Sequence, residues 1–175
     1  MNLIRSMLHL SKPAAVLLAL LLFGNAAAVY AAGGKPLRIG DSPPRIQLAN
    51  LKGSTVRIPN DFRGKVLLLH FWAGGCSSCA EEMPAMEKLY EKYRRKGLVI
   101  LAVNVGQKKD VVKRLVQDLG ISYPVLLDPD QDMARNYDVI GVPRTYLVDR
   151  KGVIRYKILG SASEMTLKKQ ILSLL

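Results

Sequence analysis

The chain has 175 residues, and 26 Lys+Arg against 14 Asp+Glu give it a formal net charge of +12. Once an N-terminal targeting segment is set aside, that length supports one domain around one core and leaves no room for two. Two cysteines exclude a scaffold stapled by several disulfides. Lys108, Lys109, Lys113 and Arg114 lie within one predicted helix and are not interleaved with aromatics, so no stacking platform for nucleic acid is predicted. The basic excess reads as a solvated surface; acidic partners or an anionic membrane surface are what it would otherwise suit.

Arg5 and Lys12 form a basic region around an N-terminal start, and residues 14–23 are uninterruptedly apolar. Gly24 and Asn25 break the run, and Val29-Tyr30-Ala31 offers a small-residue cleavage pattern. The apolar run falls short of the roughly 20 residues a bilayer span needs. Residues 1–31 are therefore expected to be a signal peptide or, if uncleaved, a signal anchor. The domain is therefore expected outside the cytosol, either soluble or tethered at its N-terminus. Residues 32–44, rich in Gly and Pro, are expected to be a linker, and residues 45–175 the folded domain.

Residues 45–48 and 55–58 predict a short hairpin around Asn50-Leu51-Lys52-Gly53. A turn at 61–64 feeds a strand at 65–72, whose nearly continuous apolar character suits a central position covered on both faces. From Cys76 to about Arg95 the pattern is helical, with Met83, Met86, Leu89, Tyr90 and Tyr93 at spacings of three and four, and Pro84 predicts a kink. A second buried strand follows at 98–105, then an amphipathic helix ending at Gly120, a short strand at 124–127 and a helical turn at 133–137. A hairpin of 144–148 with 153–159 precedes a last helix carrying Leu167, Ile171 and Leu174, with Ser161 and Glu164 as its capping box. Strand–helix–strand alternation implies parallel neighbours, and the last hairpin adds antiparallel strands. The predicted fold is α/β: a mixed central sheet flanked by helices on both faces, with an N-terminal β-hairpin.

Cys76-Ser77-Ser78-Cys79 lies directly between the first long strand and a helix start. Orphan N–H groups and the positive end of the helix dipole favour a thiolate there, so the pair suits thiol–disulfide exchange. Cys76 is assigned as nucleophile and Cys79, one turn on, as the residue that resolves the mixed disulfide. A zinc site would need two further ligands, and the exported part offers only His70 beyond the cysteines; neither metal nor cofactor is predicted.

Phe71-Trp72-Ala73 before the C-x-x-C, Glu82-Met83-Pro84 after it, and Gly141-Val142-Pro143 followed by Arg144-Thr145-Tyr146-Leu147-Val148-Asp149 resemble the thioredoxin superfamily. Leu51-Lys52-Gly53 and Phe62-Arg63-Gly64-Lys65-Val66 narrow the resemblance to the TlpA/ResA/CcmG branch of exported thiol–disulfide oxidoreductases, over roughly residues 40–174. The resemblance implies a thioredoxin-like fold, a redox-active Cys76–Cys79 pair and a cis Pro143 facing it. It also implies that the backbone of Val142 pairs with the substrate, with Trp72 packed beside the groove, and that Glu82 sits beneath the disulfide and tunes cysteine acidity. His70 holds the position of thioredoxin's buried proton-transfer carboxylate, where a neutral imidazole could take a proton from Cys79. Partners implied are protein thiols and disulfides, with an upstream dithiol electron donor at the inner membrane and a reductant's role such as cytochrome c maturation or disulfide repair. The compartment implied is a bacterial periplasm or cell envelope. The chain departs from the branch at Gly75, Ser78, Ala80 and Arg144. Copper delivery is disfavoured because no histidine follows Cys79, and thiol peroxidase chemistry because Ala73 stands where a Thr or Ser is needed.

Overall fold

A computed structural model describes residues 36–175, the compact unit Pro36–Leu175. The targeting segment expected at 1–31 lies outside the described residues. Among those described, no helix is long and apolar enough to cross a membrane.

The strands among the described residues are β1 (Ile46–Ala49), β2 (Thr55–Ile58), β3 (Val66–Trp72), β4 (Leu98–Val105), β5 (Val125–Asp128), β6 (Arg144–Val148) and β7 (Ile154–Leu159). The α-helices among them are α1 (Ser77–Tyr93), α2 (Lys109–Leu119), α3 (Asp132–Asn136) and α4 (Glu164–Leu172). The main sheet has the order β5-β4-β3-β6-β7, with β3, β4 and β5 parallel and β6 and β7 antiparallel to their neighbours. Every residue of β3 is buried, as its apolar run requires of a central strand. β1 and β2 form the expected hairpin, and Asn50 Oδ1 accepts from the N–H groups of Lys52 and Ser54 to close its turn.

The period of two divides β3 between two cores. Val66, Leu68 and Trp72 join Cys79, Met83, Met86, Leu89, Val112, Leu167 and Ile171, so α1, α2 and α4 cover one face. Leu67, Leu69 and Phe71 join Met133, Tyr137, Tyr146 and Ile58, so α3 and the hairpin cover the other. On the second face Phe71, Tyr137 and Tyr146 pack with ring centroids 5.5–6.1 Å apart, two pairs edge-on and one tilted.

Two details differ from the sequence expectations. The last helix is capped by Ser163, whose Oγ accepts from Thr166 N at 3.1 Å; Ser161 and Glu164 form no capping box. A hydroxyl satisfies the exposed N–H groups only from the residue at the true helix boundary, two positions later than the pattern suggested. Residues 36–44, expected as a linker, are bonded to the domain: Gly40 N donates to Ile154 O and Ile154 N to Asp41 O, and Tyr137 Oη donates to Pro44 O. Gly120 ends α2 at φ +61, as its position predicts.

Candidate active site

β3 ends at Trp72, and the chain must turn sharply to start α1 at Ser77. Gly75 makes the turn at φ +88, a backbone conformation that side chains rarely allow. Cys76 follows as the N-cap residue, and its Sγ accepts from Cys79 N at 3.3 Å, with Ser78 Oγ 3.6 Å away. The sulfur therefore takes one of the orphan N–H groups of the helix start. Cys76 and Cys79 are joined as a disulfide with Cα atoms 5.3 Å apart. Cys76 is partly exposed, whereas Cys79 is fully buried, so a partner can reach only the first sulfur.

Below the disulfide lies a buried polar pair. Glu82, three residues beyond Cys79 on α1, is 7% exposed, and His70 on β3 is fully buried on the face that holds Cys79. His70 Nδ1 is 3.0 Å from Thr145 Oγ1 and 3.3 Å from Glu82 Oε1. The contact with Glu82 is close but not aligned as a hydrogen bond, which leaves Oε1 without a donor. Glu82 Oε2 accepts from Ala162 N at 2.9 Å, tying α1 to the loop before α4. Loss of solvation raises the Glu82 pKa, against the opposing pull of the Ala162 N–H, and burial lowers His70 to about 3. At neutral pH the imidazole is uncharged. A carboxyl with a raised pKa beside a neutral imidazole can hold or release one proton, and the Thr145 hydroxyl can turn to donate or accept as Nδ1 changes state.

The peptide bond Val142–Pro143 is cis, and Val142 packs with Cys76 against the first core. Pro143 O accepts from Gly160 N at 3.0 Å, so the start of β6 and the 160–162 loop are fixed together. Trp72 is 2% exposed and belongs to the packing under the loop, not to a surface open to a substrate. Arg144 is also buried, at 6% exposure, with its guanidinium beside the Tyr146 hydroxyl, so it is no solvated strand-edge charge. Its alternation with Thr145 puts it on the second face, away from His70.

A further group was not singled out from the sequence. Asn104, a buried polar residue in the otherwise apolar β4, donates from Nδ2 to Gln107 Oε1 at 2.9 Å, and the same oxygen accepts from Gly74 N at 2.5 Å. Gln107 thus anchors the loop that carries Cys76. Asn104 interrupting a run of Leu, Val and Ile was the readable signal. Gln107→Ala would strand two donors, a loss of about 1–3 kcal/mol. Thermal melting is expected to show a fall of several degrees, and an unchanged midpoint would show that the anchor contributes nothing.

A disulfide at a helix start with one reachable sulfur, a cis-proline leading into β6 and a buried Glu82–His70 pair on the Cys79 side of the sheet fit a thioredoxin-like thiol–disulfide oxidoreductase. The chain belongs to the AhpC/TSA family, which it matches over residues 39–157. It is 34% identical over 136 residues to the thiol-disulfide oxidoreductase ResA of Geobacillus kaustophilus (strain HTA426), covering 78% of each chain. It is 32% identical over 133 residues to ResA of Bacillus subtilis (strain 168), covering 76% of this chain and 74% of that one. Among solved structures, the thioredoxin domain of a thiol-disulfide oxidoreductase of Bacteroides vulgatus superposes with a TM-score of 0.69 at 31% identity, covering 77% of this chain and 99% of that chain.

Proposed function

We propose that the chain works outside the cytosol as a reductant of protein disulfides, with Cys76 as nucleophile and the Glu82–His70 pair as the proton acceptor for Cys79. The Cys76 thiolate attacks a substrate disulfide: an S–S bond forms to one substrate sulfur while the other leaves as a thiolate and takes a proton. Cys79 then gives its proton to the pair and attacks Cys76 Sγ. The internal disulfide re-forms, the second substrate thiol departs, and two electrons have passed from the Cys76–Cys79 dithiol to the substrate. An upstream dithiol restores the reduced form. The export signal expected at 1–31 supports the compartment. Within the resembled branch this activity serves cytochrome c maturation, which is the setting we adopt.

The observation that carries the reading is the buried pair, Glu82 Oε1 and His70 Nδ1 at 3.3 Å, on the same side of the sheet as Cys79. It supports the reductant's direction as well. The Glu82 carboxyl one turn from Cys79, and a single backbone N–H on Cys76 Sγ, limit how far the helix start stabilises the thiolate, and a less stabilised reduced form makes a more reducing couple. Single-turnover exchange followed by stopped flow tests the proton role. Glu82→Gln is expected to slow resolution of the mixed disulfide by about 100-fold or more near neutral pH while leaving the first attack nearly unchanged. Equal resolution rates with Gln at 82 would remove the pair from the mechanism. Equilibration with glutathione tests the direction, with a potential below about −230 mV expected.

A further inference from the structure

The end of the domain opposite the disulfide carries a concentration of cations that the redox chemistry does not use. β3 runs from Val66 to Trp72 toward Cys76 and spans about 23 Å at ~3.3 Å per residue, so what precedes Val66 lies at the far pole. Three segments meet there: 63–65 before β3, 94–96 before β4 and 150–151 after β6. Arg150 holds them together, donating from Nη1 to Gly64 O at 3.1 Å and from Nη2 to Lys96 O at 3.0 Å. Every residue in these segments other than Gly64 is Arg or Lys, and all are exposed.

The nearby carboxylates are already committed. Asp149 accepts from Arg155 Nε at 2.6 Å and from the N–H groups of Lys151 and Val153, and Asp61 pairs with Arg57 at 3.0 Å. A cavity of about 360 Å³ opens on the same pole, with Arg45, Arg63, Lys65 and Lys151 at its walls and Phe62 and Pro59 among its apolar parts. The disulfide end has the opposite character: a cleft of about 310 Å³ between α1 and α4 is lined by Glu81, Glu82 and Glu164.

We infer that this basic pole is a docking surface for an anionic phospholipid bilayer, which it contacts with the disulfide facing away. A planar charged surface engages cations from three separate segments at once. The cavity offers an anionic headgroup a seat among arginines and lysines, and the acidic cleft turns the redox end away from the same surface. Such attraction falls off within about a Debye length and is screened by salt.

The test uses the full chain, with partition between vesicles of phosphatidylcholine alone and vesicles containing phosphatidylglycerol. An apolar N-terminal segment contributes equally in every variant, so the readout is the ratio of the two partition coefficients. Reversing Arg45, Arg63, Lys65 and Lys151 to Glu is expected to lower that ratio more than about 100-fold at low salt, at several-fold per cation. Reversing Lys108, Lys109, Lys113 and Arg114, exposed at and along α2, alters the charge equally and is expected to leave most of the ratio intact. Alkylation of reduced Cys76 is expected to proceed at the same rate on anionic vesicles as in solution. Equal losses in the two variants, no loss in the first, or shielding of Cys76 on the vesicle would each overturn the inference. Preserved melting of the first variant shows that its loss is not one of folding.

Discussion

Cys76→Ser is expected to reduce the turnover of protein disulfides to background, whereas Cys79→Ser is expected to halt at a stable mixed disulfide. The two outcomes differ because the two sulfurs are differently placed. Cys76 is the partly exposed N-cap of α1, and Cys79 is buried in the first core. A serine hydroxyl at 76 has no accessible anion near neutral pH, so the attacking group is lost. A serine at 79 leaves the attack intact and removes the only other sulfur able to displace the substrate. Insulin reduction followed by turbidity reads the first effect. Mass spectrometry of trapped conjugates on non-reducing gels reads the second. Turnover retained by Cys76→Ser would reject the mechanism outright.

Acid stability is expected to separate His70 from Glu82. His70 moves from 6.5 to about 3 on folding, so between those pH values the unfolded chain binds a proton that the folded chain refuses. Stability from this group is complete above pH 6.5 and is lost as pH falls, by about 1.4 kcal/mol per pH unit. By pH 3 the loss reaches the order of 5 kcal/mol, a large share of a small domain's stability. Glu82 has the opposite sign. Its folded pKa is raised above 4.5, so protonation favours the folded state and stability falls as pH rises through that window. Where the windows overlap the slopes offset one another, and below pH 4.5 the histidine acts alone. Urea midpoints of the wild type are therefore expected to fall less steeply where the two windows overlap than below pH 4.5. In Glu82→Gln the drop is expected to begin near pH 6.5, and in His70→Asn to disappear. Identical pH curves for the wild type and the His70 variant would show that burial does not hold this imidazole neutral.

Much of this protein was legible in one dimension because its elements follow local rules. Continuous apolar runs marked β3 and β4, three-four spacing marked α1, and a left-handed glycine ended α2. Cys76 could be named as nucleophile because strand, C-x-x-C and helix are contiguous, and contiguity alone puts a sulfur on the helix start. The cap of α4 was not legible, because Ser161 with Glu164 fits the capping-box spacing whereas Ser163 is shown as the cap only by its bond to Thr166 N.

What spacing could not reveal depends on contacts between distant segments. His70 meets Thr145 across 75 residues, Glu82 meets Ala162 across 80, and Gln107 meets Gly74 across 33. The residue types were visible in the chain, yet their chemistry follows from burial and from the partner each finds in the folded state. The order of residues thus determined the fold and the place of the Cys76–Cys79 pair at a helix start. Tertiary structure decided the buried contact of Glu82 with His70, the loop anchor, the burial of Arg144 and the gathering of three basic segments at one pole, because desolvation and long-range pairing exist only once the sheet has assembled.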